Sequence, residues 1–143
     1  MVSQCAGCNL YEPWAALVVG SMAGGVFIFV HNLVLNIFKM DDPLDAVAVH
    51  LGGGTLGVLS VAFFMHDPEN DAEGIFWDGH LSAPWYTLGI NIGGLVAIML
   101  WAAFWSTLIF GGLNLIGYLR IDRETEFRGN DLVSNNAVES AKN

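Results

Sequence analysis

The stretch DDPLDAVAVHLGGGTLGVLS, residues 41–60, sets three carboxylates within five positions and then runs into apolar residues and glycines around a single histidine. No Asp, Glu, Lys or Arg occurs from Ala46 to Met65, and the same is true from Pro13 to Phe38 and from Gly79 to Leu119. A hydrocarbon core about 30 Å thick is crossed by about 20 apolar residues in helix, so each of these runs can span a bilayer. The runs do not alternate apolar with polar residues, which excludes the pattern of a membrane β-barrel. Composition agrees, with 54% hydrophobic and 13% charged residues over 143 positions. The fold class is an all-α membrane protein with three transmembrane helices, at about 14–38, 43–64 and 85–110, in a region covering 1–119. A polar tail of short helix and disorder follows over 120–143.

The five basic residues, Lys39, Arg120, Arg123, Arg128 and Lys142, fall on one side of a three-span arrangement. The positive-inside rule then places Lys39 and the tail in the cytoplasm, and the N-terminus and the acidic loop 66–84 outside. Trp14, Phe63, Phe64, Trp85 and Tyr86 mark the outer boundary, and Phe38 and Tyr118 the inner one. The net charge of −9 and the dispersed basic residues exclude nucleic acid as a partner. The acidic loop (Asp67, Glu69, Asp71, Glu73, Asp78) either gathers cations by attraction or is simply solvated. Cys5 and Cys8 are too few for a structural zinc site and read as small packing residues, with a redox pair as the alternative. No cofactor, metal or enzymatic constellation is expected.

Glycines recur four apart at Gly20 and Gly24, Gly53 and Gly57, and Gly89 and Gly93, a spacing that predicts close helix packing in lipid. The apolar stretch 85–119 is about 50 Å long as a helix, so it must tilt, break near Gly111-Gly112 or project beyond the membrane.

Within residues 41–60, Asp42 is placed to cap a helix, Pro43 suits the first helical position and Asp45 adds a carboxylate to the first turn. His50 lies roughly 10 Å further along the axis. In α-helical register it shares a face with Ala46, Gly53, Gly54 and Gly57, the smallest side chains available. An imidazole at membrane depth requires a partner, which makes His50 the principal functional candidate. The plainer reading is a histidine hydrogen-bonded to a neighbouring helix. His31 stands at a comparable depth in the first span. It is either a polar core residue beside Asn32 and Asn36 or, with His50, one half of a bis-histidine haem site.

The segments AGCNLYEPWAALVVGSMAGG (residues 6–25) and KMDDPLDAVAVHLGGGTLGVLSVAFF (39–64), with the tail LRIDRETEFRGNDL (119–132), resemble the last third of ammonium transporters of the Amt/Mep/Rh family. The resemblance implies a fragment, the ninth to eleventh helices, of an eleven-helix inverted-repeat fold that assembles as a homotrimer in the plasma membrane. It implies ammonium or ammonia as the transported species and His50 as the second histidine of the pore pair. It makes Ala46 an inner pore position and Asp42 and Asp45 supporting acidic positions at the cytoplasmic helix start. The family's glycines are kept at Gly54 and Gly57, which with Gly53 are expected to serve helix packing. The family pattern has glycine where this chain has Leu51, and histidine-glycine-glutamate where it has Asn135-Asn136-Ala137. The first pore histidine, the gating phenylalanines and the recruitment tryptophan belong to helices outside these three. The chain by itself is therefore expected to be inactive, and insertion into intact transporters as an assembly partner is a further alternative.

Overall fold

The computed structural model describes residues 2–69, 72–77 and 83–120, with the single positions 123 and 126. The tail expected over 120–143 lies outside the described residues apart from Arg120, Arg123 and Glu126, as do Asp71 and Asp78 of the acidic loop. Residues up to Ile98 form one compact unit and those from Met99 a second.

Helix α1 (Pro13–Asn32) starts on a proline, which presets φ and lacks the amide that the first turn would leave unpaired. It winds on as a wider π turn over Leu33–Phe38 and stops at Lys39, which takes a left-handed φ of 50°. The Met40 N–H closes that end on the Val34 carbonyl at 3.1 Å. The chain turns through residues 40–45 and re-enters as a second π segment, Val47–Gly52, which leads into α2 (Gly53–Phe64). Pro43 thus sits in the turn rather than at the first helical position, and the helix begins about three residues later than its sequence signals predict.

Helix α3 (Ala83–Leu115) has 33 residues and passes Gly111-Gly112 without interruption, so the break considered there does not occur. It ends on Gly117 at φ 77°, where the Tyr118 N–H reaches back to the Leu113 carbonyl at 3.0 Å. Three helical stretches, Pro13–Phe38, Val47–Phe64 and Pro84–Leu115, are long and apolar enough to cross a membrane. Helix α3 meets α2 through Asn91, whose side-chain amide donates to the Val58 carbonyl at 2.9 Å. None of its apolar side chains from Ile90 to Ile109 is buried within the chain, which suits a surface made for lipid or for further protein.

The loop after α2 is ordered by the end of that helix. The last carbonyls of a helix have no partner inside it. Here the Ile75 and Phe76 amides take Ala62 and Phe63 at 3.0 and 3.1 Å. The two-residue strands β1 (His66–Asp67) and β2 (Ala72–Glu73) pair antiparallel with His66 opposite Glu73. This brings Phe76 and Trp77 onto the helix ends. Trp77 lies 5.7 Å from Trp14, Phe76 lies 4.9 Å from Phe64, and Trp14 meets Phe64 edge-on at 5.9 Å. Beneath this cluster Ala15, Val19 and Phe64 form the buried core, with Tyr11 and Phe63 packed against it.

The glycine face of α2 is covered by the segment Val2–Gly7 and not by another membrane helix. Gly53 and Gly57 are buried, and a Cβ at Gly57 would stand 2.6 Å from the Ser3 carbonyl oxygen. Gln4 anchors the segment to α1 by donating to the Ala16 carbonyl at 2.8 Å, and the Tyr11 hydroxyl donates to Gly57 O at 3.2 Å. At Gly52 the neighbour is Val30 of α1, 3.1 Å from where a Cβ would stand, so this glycine does serve helix–helix approach. Gly24, Gly89 and Gly93 face open space among the described residues, so their spacing does not mark a contact within this chain. Cys5 and Cys8 are exposed, which corrects their reading as packing residues.

Gly57→Ala forces a methyl group against backbone and is expected to cost about 1–3 kcal/mol, whereas Gly54→Ala meets only Val2 Cγ1 at 3.9 Å and should be neutral. Thermal unfolding of the two variants in detergent checks the contrast. Burial pushes the Tyr11 phenol up to about 12, against the opposing hydrogen bond with Ser60. Its stabilising effect is whole below pH 10 and lost as the pH rises toward 12, because the unfolded chain ionises first. Absorbance titration should show a late-ionising component that Tyr11→Phe removes.

Candidate functional site

The polar groups singled out in the sequence gather at the turn between α1 and α2. Asp42 organises it. Its Oδ1 accepts the Ala46 N–H at 3.0 Å and its Oδ2 accepts the Val47 N–H at 2.8 Å, while its carbonyl accepts the Asp45 N–H at 3.1 Å. Two of the amides that a helix start leaves orphaned are thereby satisfied by one carboxylate. The Val47 amide is the main influence holding the Asp42 carboxyl below its ordinary range. Partial desolvation opposes it, and the Ala46 and Leu44 amides and the nearby His31 add to the lowering.

Asp45 does not act as a first-turn carboxylate of the helix. It takes a left-handed backbone at φ 52°, and its side chain turns to α1, where Oδ1 lies 2.5 Å from His31 Nδ1. His31 also stacks on Phe27 at 6.0 Å. It is therefore not a core residue grouped with Asn32 and Asn36. Those two are exposed and bond along their own helix, Asn32 to the Ile28 carbonyl and Asn36 to the Asn32 side chain. Sequence reasoning missed the His31–Asp45 pair. The available signal was that the two stand equidistant from Phe38, where the helical hairpin turns.

His50 lies in the π segment, on an exposed face. The α-helical register used to place it beside Gly53, Gly54 and Gly57 does not hold there, because a π turn bonds five residues apart and rotates the preceding positions. Gly53 and Gly57 are buried under residues 2–7, whereas His50 and Ala46 face outward. Leu51 points elsewhere. It lines an apolar groove of about 740 Å³ between α1 and the start of α2, with Val26, Val30, Val34, Gly52 and Leu56. Leu51 thus belongs to that groove and not to the His50 face.

Residues 1–139 match the model of the Ammonium Transporter Family. The chain belongs to the ammonium transporter family. It is 37% identical over 137 residues to ammonium transporter 3 of Dictyostelium discoideum, covering 92% of this chain and 31% of that protein. It is 37% identical over 140 residues to putative ammonium transporter 1 of Caenorhabditis elegans, covering 92% of this chain and 26% of that protein. Ammonium transporter 1 member 2 of rice is 34% identical over 134 residues, covering 88% of this chain and 26% of that protein. The chain thus spans about a third or less of the length of these curated relatives. No solved structure matches it.

Family membership and the apolar helices make this part of a multi-pass, all-α membrane protein. The haem reading has no support among the relatives, which are named as ammonium transporters. The assembly-partner reading is likewise without support among the relatives, which are named as transporters themselves.

Asp42→Ala removes both capping bonds and should loosen the turn, raising amide exchange at Ala46 and Val47, while Asp42→Asn keeps one acceptor oxygen and should protect only one of the two amides. Because the folded carboxyl titrates below its ordinary range, the cap is complete above that range. It is lost only as the pH falls through the lowered folded value, which hydrogen exchange across an acid series can follow.

Proposed function

We propose that this chain supplies three membrane-spanning helices of an ammonium transporter, and that His50 lines the conduit through which the nitrogen species passes. The observation that carries the reading is an imidazole left exposed on a span otherwise free of ionisable side chains, in a chain of this family. A group of that kind at membrane depth is retained where another helix or a solute meets it. Neutral imidazole has one nitrogen that donates and one that accepts, so it can hydrogen-bond ammonia and pass a proton to a second histidine. Ala46, small and exposed four residues before, leaves room beside it for a small solute. Asp42 and Asp45 support the site by fixing where its helix starts.

Half an inverted-repeat pore cannot close a polar path against lipid, so the remaining helices come from elsewhere in a complete transporter, which works as a homotrimer. The plasma membrane is the expected location. The asymmetric placement of the five Lys and Arg residues supports an orientation with Lys39 and the tail in the cytoplasm and the N-terminus outside.

The test replaces the matching third of a full-length relative by residues 1–143 and measures uptake of methylammonium. His50→Ala in this chimera should lower uptake or change the charge moved per solute. Equal uptake with equal current would remove His50 from the conduit.

A further inference from the structure

The transport reading leaves His31 without a task, yet its imidazole makes the shortest side-chain contact in the turn region. His31 Nδ1 lies 2.5 Å from Asp45 Oδ1. Asp45 is one of two residues other than glycine with a left-handed backbone among the described positions, at φ 52°. Such a conformation is costly for a side chain with a Cβ and persists where surrounding contacts over-determine it. Three contacts do so here. The Asp45 N–H is held by the Asp42 carbonyl, its own carbonyl accepts the Val49 N–H at 2.9 Å, and its side chain is held by His31 from the opposite helix. The Val49 bond runs into the π segment two residues after the bond from Val47 to Asp42, and Val49 immediately precedes His50. The setting of Asp45 is thus passed to His50 through one amide.

We propose that His31 is a positioning residue: by holding Asp45 in its left-handed conformation across the helical hairpin, it fixes the start and rotation of the turn that presents His50. The carboxylate partner fixes the imidazole with its proton on Nδ1, and the stacking of the ring on Phe27 sets its plane. The inference uses the role of His50 given above for its functional consequence, while its structural content, the control of His50 by His31, stands apart from transport.

The experiment therefore has two arms. In the first, the full chain labelled with ¹⁵N-histidine is placed in phosphatidylcholine bilayers and its imidazole resonances are recorded. His31→Ala should move the His50 resonances, His66→Ala should not, and Asp45→Ala should shift the His31 Nδ1 signal. His50 resonances unmoved by His31→Ala overturn the proposal. In the second arm, the same substitutions enter the methylammonium-transporting chimera. His31→Ala should lower the maximal rate about tenfold, the factor expected when a strained conformation loses its restraint, with little change in the half-saturating concentration.

Asparagine accepts a hydrogen bond and tolerates the left-handed region, so Asp45→Asn should keep most of the rate. Glycine needs no restraint there, so adding Asp45→Gly to His31→Ala should recover part of the loss. An unchanged rate in His31→Ala, or losses that simply add in the double variant, would also overturn the proposal. A chimera that carries no methylammonium with all native residues in place removes the transport reading alone, and the first arm then decides the matter.

Discussion

A peptide group left unpaired in hydrocarbon costs several kcal/mol, and the chain is organised around the ends of its helices, where that penalty falls due. Each end is closed by a different device. Pro13 has no amide to lose, Lys39 turns left-handed so that Met40 can reach Val34, and Asp42 takes two amides at the next helix start. At the far end of α2, loop amides from Ile75 and Phe76 return to the carbonyls of Ala62 and Phe63. Between these ends the helices carry side chains that say little about which neighbour they want, so the terminal contacts set the hairpin.

The two ends of α1 and α2 are built from different chemistry. At the start of α1 and the end of α2 the contacts are aromatic, with Trp14, Phe64, Phe76 and Trp77 clustered over a small core and His66 lying flat on Trp77 at 4.1 Å. At the turn 39–46 they are ionic and hydrogen-bonded, through Asp42, Asp45 and His31. Aromatic stacking tolerates small displacements, whereas a carboxylate bonding two amides does not. The more exacting end is the one next to His50.

The π segments on both sides of the turn connect this chemistry to the candidate site. They flank the turn in which Asp45 meets His31, and π turns are frequent at functional positions. The same winding turns His50 away from the glycine face and leaves the glycines to the segment Val2–Gly7. A glycine stripe therefore marks where backbone approaches closely, whatever element happens to supply that backbone.

The sequence by itself determined that three charge-free runs cross a membrane, because a buried charge or an unpaired amide is too costly for any other reading. It determined equally that Asp42 starts a helix and that His50 travels with it, since both follow from positions close together in the chain. Its limit was reached where contacts join distant positions. That Asp45 turns back to His31, that residues 2–7 cover Gly53 and Gly57, and that Trp77 closes over Trp14 each depend on how two segments meet. Nor does the α-helical period foresee the π turn that swings His50 onto an open face. Only the tertiary structure decided these, because apolar helices of nearly uniform hydrophobicity carry no pattern that selects a partner. The choice falls to a few polar and aromatic groups at their ends.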